Sequence, residues 1–343
     1  MAIGKGKIFV GVLGVIVAGG IIYGANFAAK PISGSEGEKG AAVDEKLFPI
    51  KTWSRTNCEA TPWVIADKKG FLKEEGLRIV YTGDTQTNQR IPSVLNGDND
   101  VGTSHPNGIA VAIAGGAKIK GTYPLGIDPA PELDPKLRHM NWYVNPKEHP
   151  DIKNFKDLLK LDGKLKFVTS TRNTCTDFLT NKIADANGVP RDKIEFVTMP
   201  DVQTVQALKQ GLITVGAVHP PYYKSMEQAG MVKIADSLDA KLGTAGGMGF
   251  YYFNTEFINK NRDVIKRFGR AMTKAQKYAN EHPEEARKLT EEWIKVPVSA
   301  THYYGGRVEF DDKDVEPWLE ELRRNKVIPQ DFKVSDVAEH VFQ

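Results

Sequence analysis

The sequence predicts an α/β protein of two lobes with mixed, mainly parallel sheets, preceded by an N-terminal membrane segment. Three observations predict it. From Lys46 onward short strand-like runs alternate with longer amphipathic ones, the pattern of parallel α/β architecture. The alternation restarts near Trp142, so there are two units. An uncharged run of 22 residues, Ile8 to Ala29, opens the chain. The length of 343 residues accommodates two lobes at about 100–200 residues each. With 41% hydrophobic and 26% charged residues, the chain has the material for a core, which excludes general disorder.

The opening run is long enough to span a bilayer, which takes about 20 apolar residues, and Lys5 and Lys7 before it favour the cytoplasmic side. The rest of the chain is therefore expected outside the cytoplasm. A secretory h-region is about 7–15 residues and ends at a small-x-small site. Here YGANFAAK puts Asn26 or Phe27 at the −3 position, so residues 1–30 read as an uncleaved signal anchor, with a cleaved signal peptide as the alternative. No cysteine follows to take a lipid. Residues 31–45 (PISGSEGEKGAAVDE) read as a flexible linker. Ten of the 32 glycines fall in the first 40 residues, so the glycine excess belongs largely to anchor and linker. Setting aside Lys5, Lys7 and Lys30 leaves 43 basic against 43 acidic residues. A neutral body lacks the basic footprint of phosphate-backbone binding, so no nucleic-acid partner is expected.

In the first unit LFPIKTW reads as a strand, and Pro62 opens the helical stretch WVIADKKGFLKEEG. LRIVYTG is a strand, NQRIPSVLNGD a short helix, and DVGTS a strand running into the apolar helix HPNGIAVAIAGG. KIKGTYPLG follows as a strand. In the second unit WYVNP is extended, IKNFKDLLKLDG a helix, and KLKFVTST a strand. CTDFLTNKIADANG is a helix, KIEFVTM a strand, and DVQTVQALKQG a helix with Asp201 placed to cap it. VGAVHPP, YYKSMEQAG and VKIAD complete the unit, and GGMGFYYFNTEF is a strand returning to the first. Three helices end the chain: DVIKRFGRAMTKAQKYANEH, PEEARKLTEEWIK and DVEPWLEELRRN. Lobe 1 is thus placed at 46–140 with 246–343, and lobe 2 at 141–245.

TPWVIADKKGFLKEEGLRIVYTG resembles the opening signature of solute-binding proteins for nitrate, sulfonate and taurine uptake. SVLNGDNDVGTSHPNGIAVAIAGG resembles their next element, FKDLLKLDGKLKFVTST the start of their second lobe, and MPDVQTVQALKQGLITVGAVHPPYYKSMEQAG their Ala-Leu-x-x-Gly helix, strand and proline-ended loop. The likeness covers about Phe48 to Glu256. It implies a two-lobed type II periplasmic-binding-protein fold, without cofactor or catalysis. It also implies a monomer that holds a small anionic or zwitterionic solute in an interlobe cleft, for an ABC permease and its ATPase. Such a protein sits in the periplasm or at the extracellular face of the membrane. The alternatives are a binding protein for a soft metal or thiophilic ligand through Cys58, Cys175, His105 and His219, a sensor-type protein that hands its ligand to a receptor, and, last, an enzyme like the thiamine-pyrimidine synthases.

In open α/β sheets ligands lie beyond the carboxyl ends of strands, where helix N-termini present free N–H groups. Four loops occupy such places: Ser54–Thr61, Ser104–Asn107, Ser170–Thr174 and His219–Tyr222. Candidate ligand residues are Trp53, Thr56, Asn57, Cys58, Ser104, His105, Thr171, Arg172, Thr174, Cys175 and His219. Their hydroxyls, amides and imidazoles suit a small oxyanion or zwitterion. Trp53 is equally a core residue, and Arg55 and Arg172 read first as solvated. The only cysteines, Cys58 and Cys175, fall one in each lobe, and three readings stay open. They form a disulfide, which in an extracytoplasmic chain stabilises by up to about 4–5 kcal/mol; they are two free thiols; or, with His105 or His219, they form a soft metal or thiophilic site. His139, His149, His282, His302 and His340 read as scattered surface residues. GTAGGMG reads as a hinge or a close approach to the ligand, and EFDDKD as a solvated turn before the Asp314 helix. The chain has no Walker loop, His-Glu-x-x-His, Gly-x-Ser-x-Gly or Cys-x-x-Cys. It also lacks the cysteine-rich motif of thiamine-pyrimidine synthases, which share this lobed fold.

Overall fold

The computed structural model describes residues 46–170, 172 and 174–342. The anchor at 1–30, the linker at 31–45 and the candidate Thr171 lie outside the described residues. Among those described, no helix is long and apolar enough to cross a membrane.

Among the described residues, ten strands are interspersed with twelve α-helices. The first half-circuit runs β1 (Phe48–Thr52), α1 (Thr61–Lys68), α2 (Phe71–Glu74), β2 (Leu77–Tyr81), α3 (Arg90–Leu95), β3 (Val101–Ser104), α4 (Pro106–Ala114) and β4 (Ile119–Pro124). The second comprises β5 (Asn141–Val144), β6 (Leu165–Thr169), α5 (Cys175–Asn187), β7 (Ile194–Thr198), α6 (Asp201–Lys209), β8 (Gly216–Val218), α7 (Tyr223–Gln228) and β9 (Val232–Asp236). Then follow β10 (Phe250–Asn254), α8 (Thr255–Lys260), α9 (Arg262–Glu281), α10 (Pro283–Ile294), α11 (Asp312–Arg324) and α12 (Val334–Val337).

The sheets are mixed, but the expected parallel majority is not what the ladders show. β1–β2 and β6–β7 are parallel, whereas β10 runs antiparallel to β3 and β4, and β5 antiparallel to β8 and β9. The reason is topological. β5 and β10 are central strands entered from the crossovers at either end of the second half-circuit, and each therefore meets its neighbours head to tail. The two crossovers are laced side by side. Leu125 N donates to Gly249 O at 2.6 Å, Gly249 N to Gly126 O at 3.1 Å, and Asp128 N to Thr244 O at 3.0 Å. Gly247 permits this approach, since a Cβ there would sit 2.5 Å from the Ile127–Asp128 backbone. GTAGGMG is thus a place of close backbone contact.

Local chemistry explains most element ends. Pro62 and Pro106 fall in first turns, where no N–H is needed. Gly188 closes α5 in the left-handed conformation at φ 68°. Two expectations need correction. IKNFKDLLKLDG forms only a 3₁₀ helix, Phe155–Lys160, started by an Asn154–Asp157 capping box. Asp201 is the first helical residue of α6 rather than its cap, which is Pro200, because its carboxylate is engaged elsewhere.

The long terminal helix α9 buries Val264, Ile265, Phe268, Ala271, Met272, Ala275 and Ala279, the 3–4 spacing of one apolar stripe. Phe268 meets Trp63, Tyr251 and Phe253 at centroid distances of 5.4–5.6 Å. A second core gathers Trp142, Phe167, Phe178 and Trp318. EFDDKD forms the start of α11, capped by Asp311, and Asp314 within it is buried against Thr244 and Arg307.

Candidate functional site

The ends of β3 and β8, the start of β5 and the N-terminus of α5 bring four histidines and one cysteine together. His105 follows β3 and caps α4 with extended backbone. Its Nδ1–H donates to the Met248 carbonyl at 2.7 Å, and its ring stacks on Trp318 at 5.1 Å and 11°. Trp318 in turn stacks on Phe178 at 4.1 Å and donates Nε1–H to Ala245 O at 2.8 Å, so the imidazole plane is set by a packed column. Cys175 is the first residue of α5 and is 5% exposed. Its Sγ lies 3.5 Å from Nε2 of His219, and His105 hydrogen-bonds the same sulfur. His219, just after β8, donates Nδ1–H to Asp201 Oδ2 at 2.6 Å.

Two members were not foreseen. His139 is 4% exposed, and its backbone N–H donates to Asp128 Oδ1 at 3.0 Å and Ser237 Oγ at 3.1 Å. Its Nε2 is buried with no hydrogen-bond partner. Ring centroids place it 5.1 Å from His105, 5.4 Å from His219 and 5.0 Å from His302. Neither His139 nor His302 is therefore a scattered surface residue. His139 ends a crossover, and His302 sits in the irregular stretch between α10 and α11. Neither place carries a sequence signal, since only tertiary contact brings them to the loops.

The electrostatics follow from burial and mutual contact. Burial raises the cost of a charged Cys175, but the adjoining His105 and His219 outweigh it and bring the thiol down to about 6. Burial opposes a charge on His219 too, yet Asp201 holds that ring well above the usual imidazole range. His105 is raised against burial by Cys175 and the Met248 carbonyl. Burial and the surrounding imidazoles keep His139 and His302 well below it. The site therefore sets an acidified thiol among imidazoles that their neighbours push in opposite directions, His105 and His219 up and His139 and His302 down.

The other candidates are placed variously. Cys58 is buried near this group, but its Sγ–H faces the Ala300 carbonyl at 3.4 Å, and burial pushes its thiol far up. Cys58 and Cys175 are both free, so there is no disulfide between them. Asn57 caps a 3₁₀ turn, Cys58–Ala60, by accepting from Glu59 N at 2.9 Å, and Thr56 is exposed. Ser104 adjoins His105 at the end of β3, and Thr174 caps α5 beside Cys175. Arg172 is exposed and pairs with Asp177 at 2.7 Å, over the Phe196 ring. Trp53 is fully buried in the core, with Nε1 unpartnered. Arg55, expected to be solvated, is 3% exposed between the Trp53 and Trp63 rings. It donates to Thr52 Oγ1 and the Trp53 carbonyl, each at 3.0 Å, and burial lowers it to about 10.

Comparison with known proteins adds the lineage. Residues 57–286 match the model of the family described as NMT1/THI5 like. No curated protein sequence matches. Among solved structures, the periplasmic nitrate-binding protein NrtA from Synechocystis PCC 6803 is 15% identical, with 86% of each chain covered and a TM-score of 0.65. The periplasmic aliphatic sulphonate binding protein SsuA from Escherichia coli is 17% identical, covering 86% of this chain and 92% of its own, at 0.64. The alkanesulfonate-binding protein SsuA from Xanthomonas axonopodis pv. citri, bound to MOPS, is 13% identical, covering 87% and 100%, at 0.62. At these identities the likeness is one of fold: this chain has the α/β architecture of the periplasmic binding proteins.

Proposed function

Because this chain belongs to the NMT1/THI5-like family, we propose that it is an extracytoplasmic solute-binding protein that captures a small anionic or zwitterionic solute for an ABC permease and its ATPase. The sulfonate, taurine and nitrate class is the first choice; sulfonate and nitrate are the solutes named for its structural neighbours, and taurine is itself a sulfonate. One observation carries the reading. His105 at the N-terminus of α4, Cys175 at that of α5 and His219 beyond β8 meet in one place, with Ser104 and Thr174 next to them in sequence, and helix N-termini favour an anion. The lobes are proposed at 46–140 with 246–343 and at 141–245. Strand pairing supports this, since β1–β4 pair only with one another or with β10, and β5–β9 among themselves. A monomer held at the outer face of the membrane by residues 8–29 completes the proposal, with binding and no turnover as its task.

A thermal-shift panel of alkanesulfonates, taurine and nitrate tests it. A true ligand at a hundredfold excess over its Kd stabilises by about 2.7 kcal/mol. A rise in Tm with one member that Ser104→Ala and Thr174→Ala reduce is expected. A flat response to the whole panel would overturn the anion class.

A further inference from the structure

We infer that the same site holds a thiophilic divalent metal ion of the zinc type, ligated by Cys175 Sγ and by ring nitrogens of His105, His139 and His219. The inference rests on the site proposed above and names a ligand for its innermost part. One ligand atom each of His105, His139 and Cys175 already lie within 4.8 Å of one another. The 3.5 Å between Cys175 Sγ and His219 Nε2 matches a tetrahedral edge, about 3.6 Å for Zn–S and Zn–N bonds of about 2.3 and 2.1 Å.

The surroundings are those of metal ligands. His105 and His219 each commit Nδ1–H to an oxygen, the Met248 carbonyl and the Asp201 carboxylate, which leaves Nε2 as the ligating atom of each, and Nε2 of His219 faces the thiol. His139 supplies the independent sign. Its Nε2 is buried, beside the cluster and without a partner. A buried imidazole nitrogen left bare carries an uncompensated desolvation penalty, which a metal bond removes. His105, His219 and His302 are only half-buried, so an ion has a way in. One thiol and three imidazoles, three of the four with ligand atoms within 4.8 Å and His219 3.5 Å from the sulfur, suit zinc(II) among borderline-soft ions, whereas magnesium and calcium require oxygen donors.

The order Cys175–His219–Asp201 also has the outline of a nucleophile, base and orienting acid. A proton relay needs one imidazole, however, and leaves the bare nitrogen of His139 and the fixed tautomer of His105 unexplained. The metal accounts for all three.

The test uses the full chain, stripped by chelator and titrated with zinc(II) or cobalt(II), with magnesium(II) and calcium(II) as controls. Cobalt is expected to bind one per chain with a thiolate-to-metal charge-transfer band and intense tetrahedral bands. Cys175→Ser abolishes the charge-transfer band, and Cys58→Ser keeps it. Asp201→Asn, acting only through His219, weakens binding about 10–100-fold while the spectrum persists. His139→Gln weakens it further, with a folded circular-dichroism spectrum required of every variant. Absence of the thiolate band in folded wild-type protein, or its equal loss in both cysteine variants, would overturn the inference. So would fast alkylation of Cys175 under saturating zinc. Anion shifts in stripped protein without metal binding would overturn the metal alone; metal binding without any anion shift would overturn the anion class alone.

Discussion

The two cysteines have the same side chain and opposite environments. Cys175 lies among imidazoles at a helix N-terminus, and Cys58 is buried against a carbonyl. In metal-free Cys58→Ser protein, thiolate ultraviolet absorbance should rise near pH 6, whereas Cys175→Ser protein should show no rise below about pH 8.5. Rises at the same pH in both would contradict the assignment. The sign of the stability effect follows. With its folded value depressed to about 6, Cys175 contributes stability that is complete above its unfolded value and lost as pH falls through 6. At this scale Cys175, His105 and His219 were legible, because strand-helix alternation locates the loops that follow strands. His139 and His302 were not, since one ends a crossover and the other lies in a stretch with neither helix nor strand.

Elements were legible where a periodicity is local. The stripe of α9 can be read from the residues themselves, whereas EFDDKD, read as a solvated turn, holds the Asp311 cap and the first turn of α11. Removing that cap in Asp311→Ala should cost about 1 kcal/mol in urea unfolding, since Asp311 Oδ1 accepts from Lys313 N at 3.1 Å. Strand direction was less legible. That β5 and β10 run antiparallel depends on how the chain returns, and apolar runs of central strands look alike either way. The lacing beside β10 has a sharper test. Gly247→Ala forces its Cβ against the Ile127–Asp128 backbone and should cost about 1–3 kcal/mol, read as a lower urea midpoint.

At the scale of the molecule, both described cores draw on residues far apart in the sequence. The α/β class was legible because alternation accumulates over many elements, whereas the site is not a property of any stretch. Its side chains come from residues 105, 139, 175, 219 and 302, so bringing them together means closing several long loops, whose entropy is recovered only when distant segments dock. No short fragment of the chain contains the site, which exists only once segments as distant as residues 105 and 302 have docked. A chain that crosses a membrane unfolded would thus travel without a place for cargo, and first acquire one where it folds.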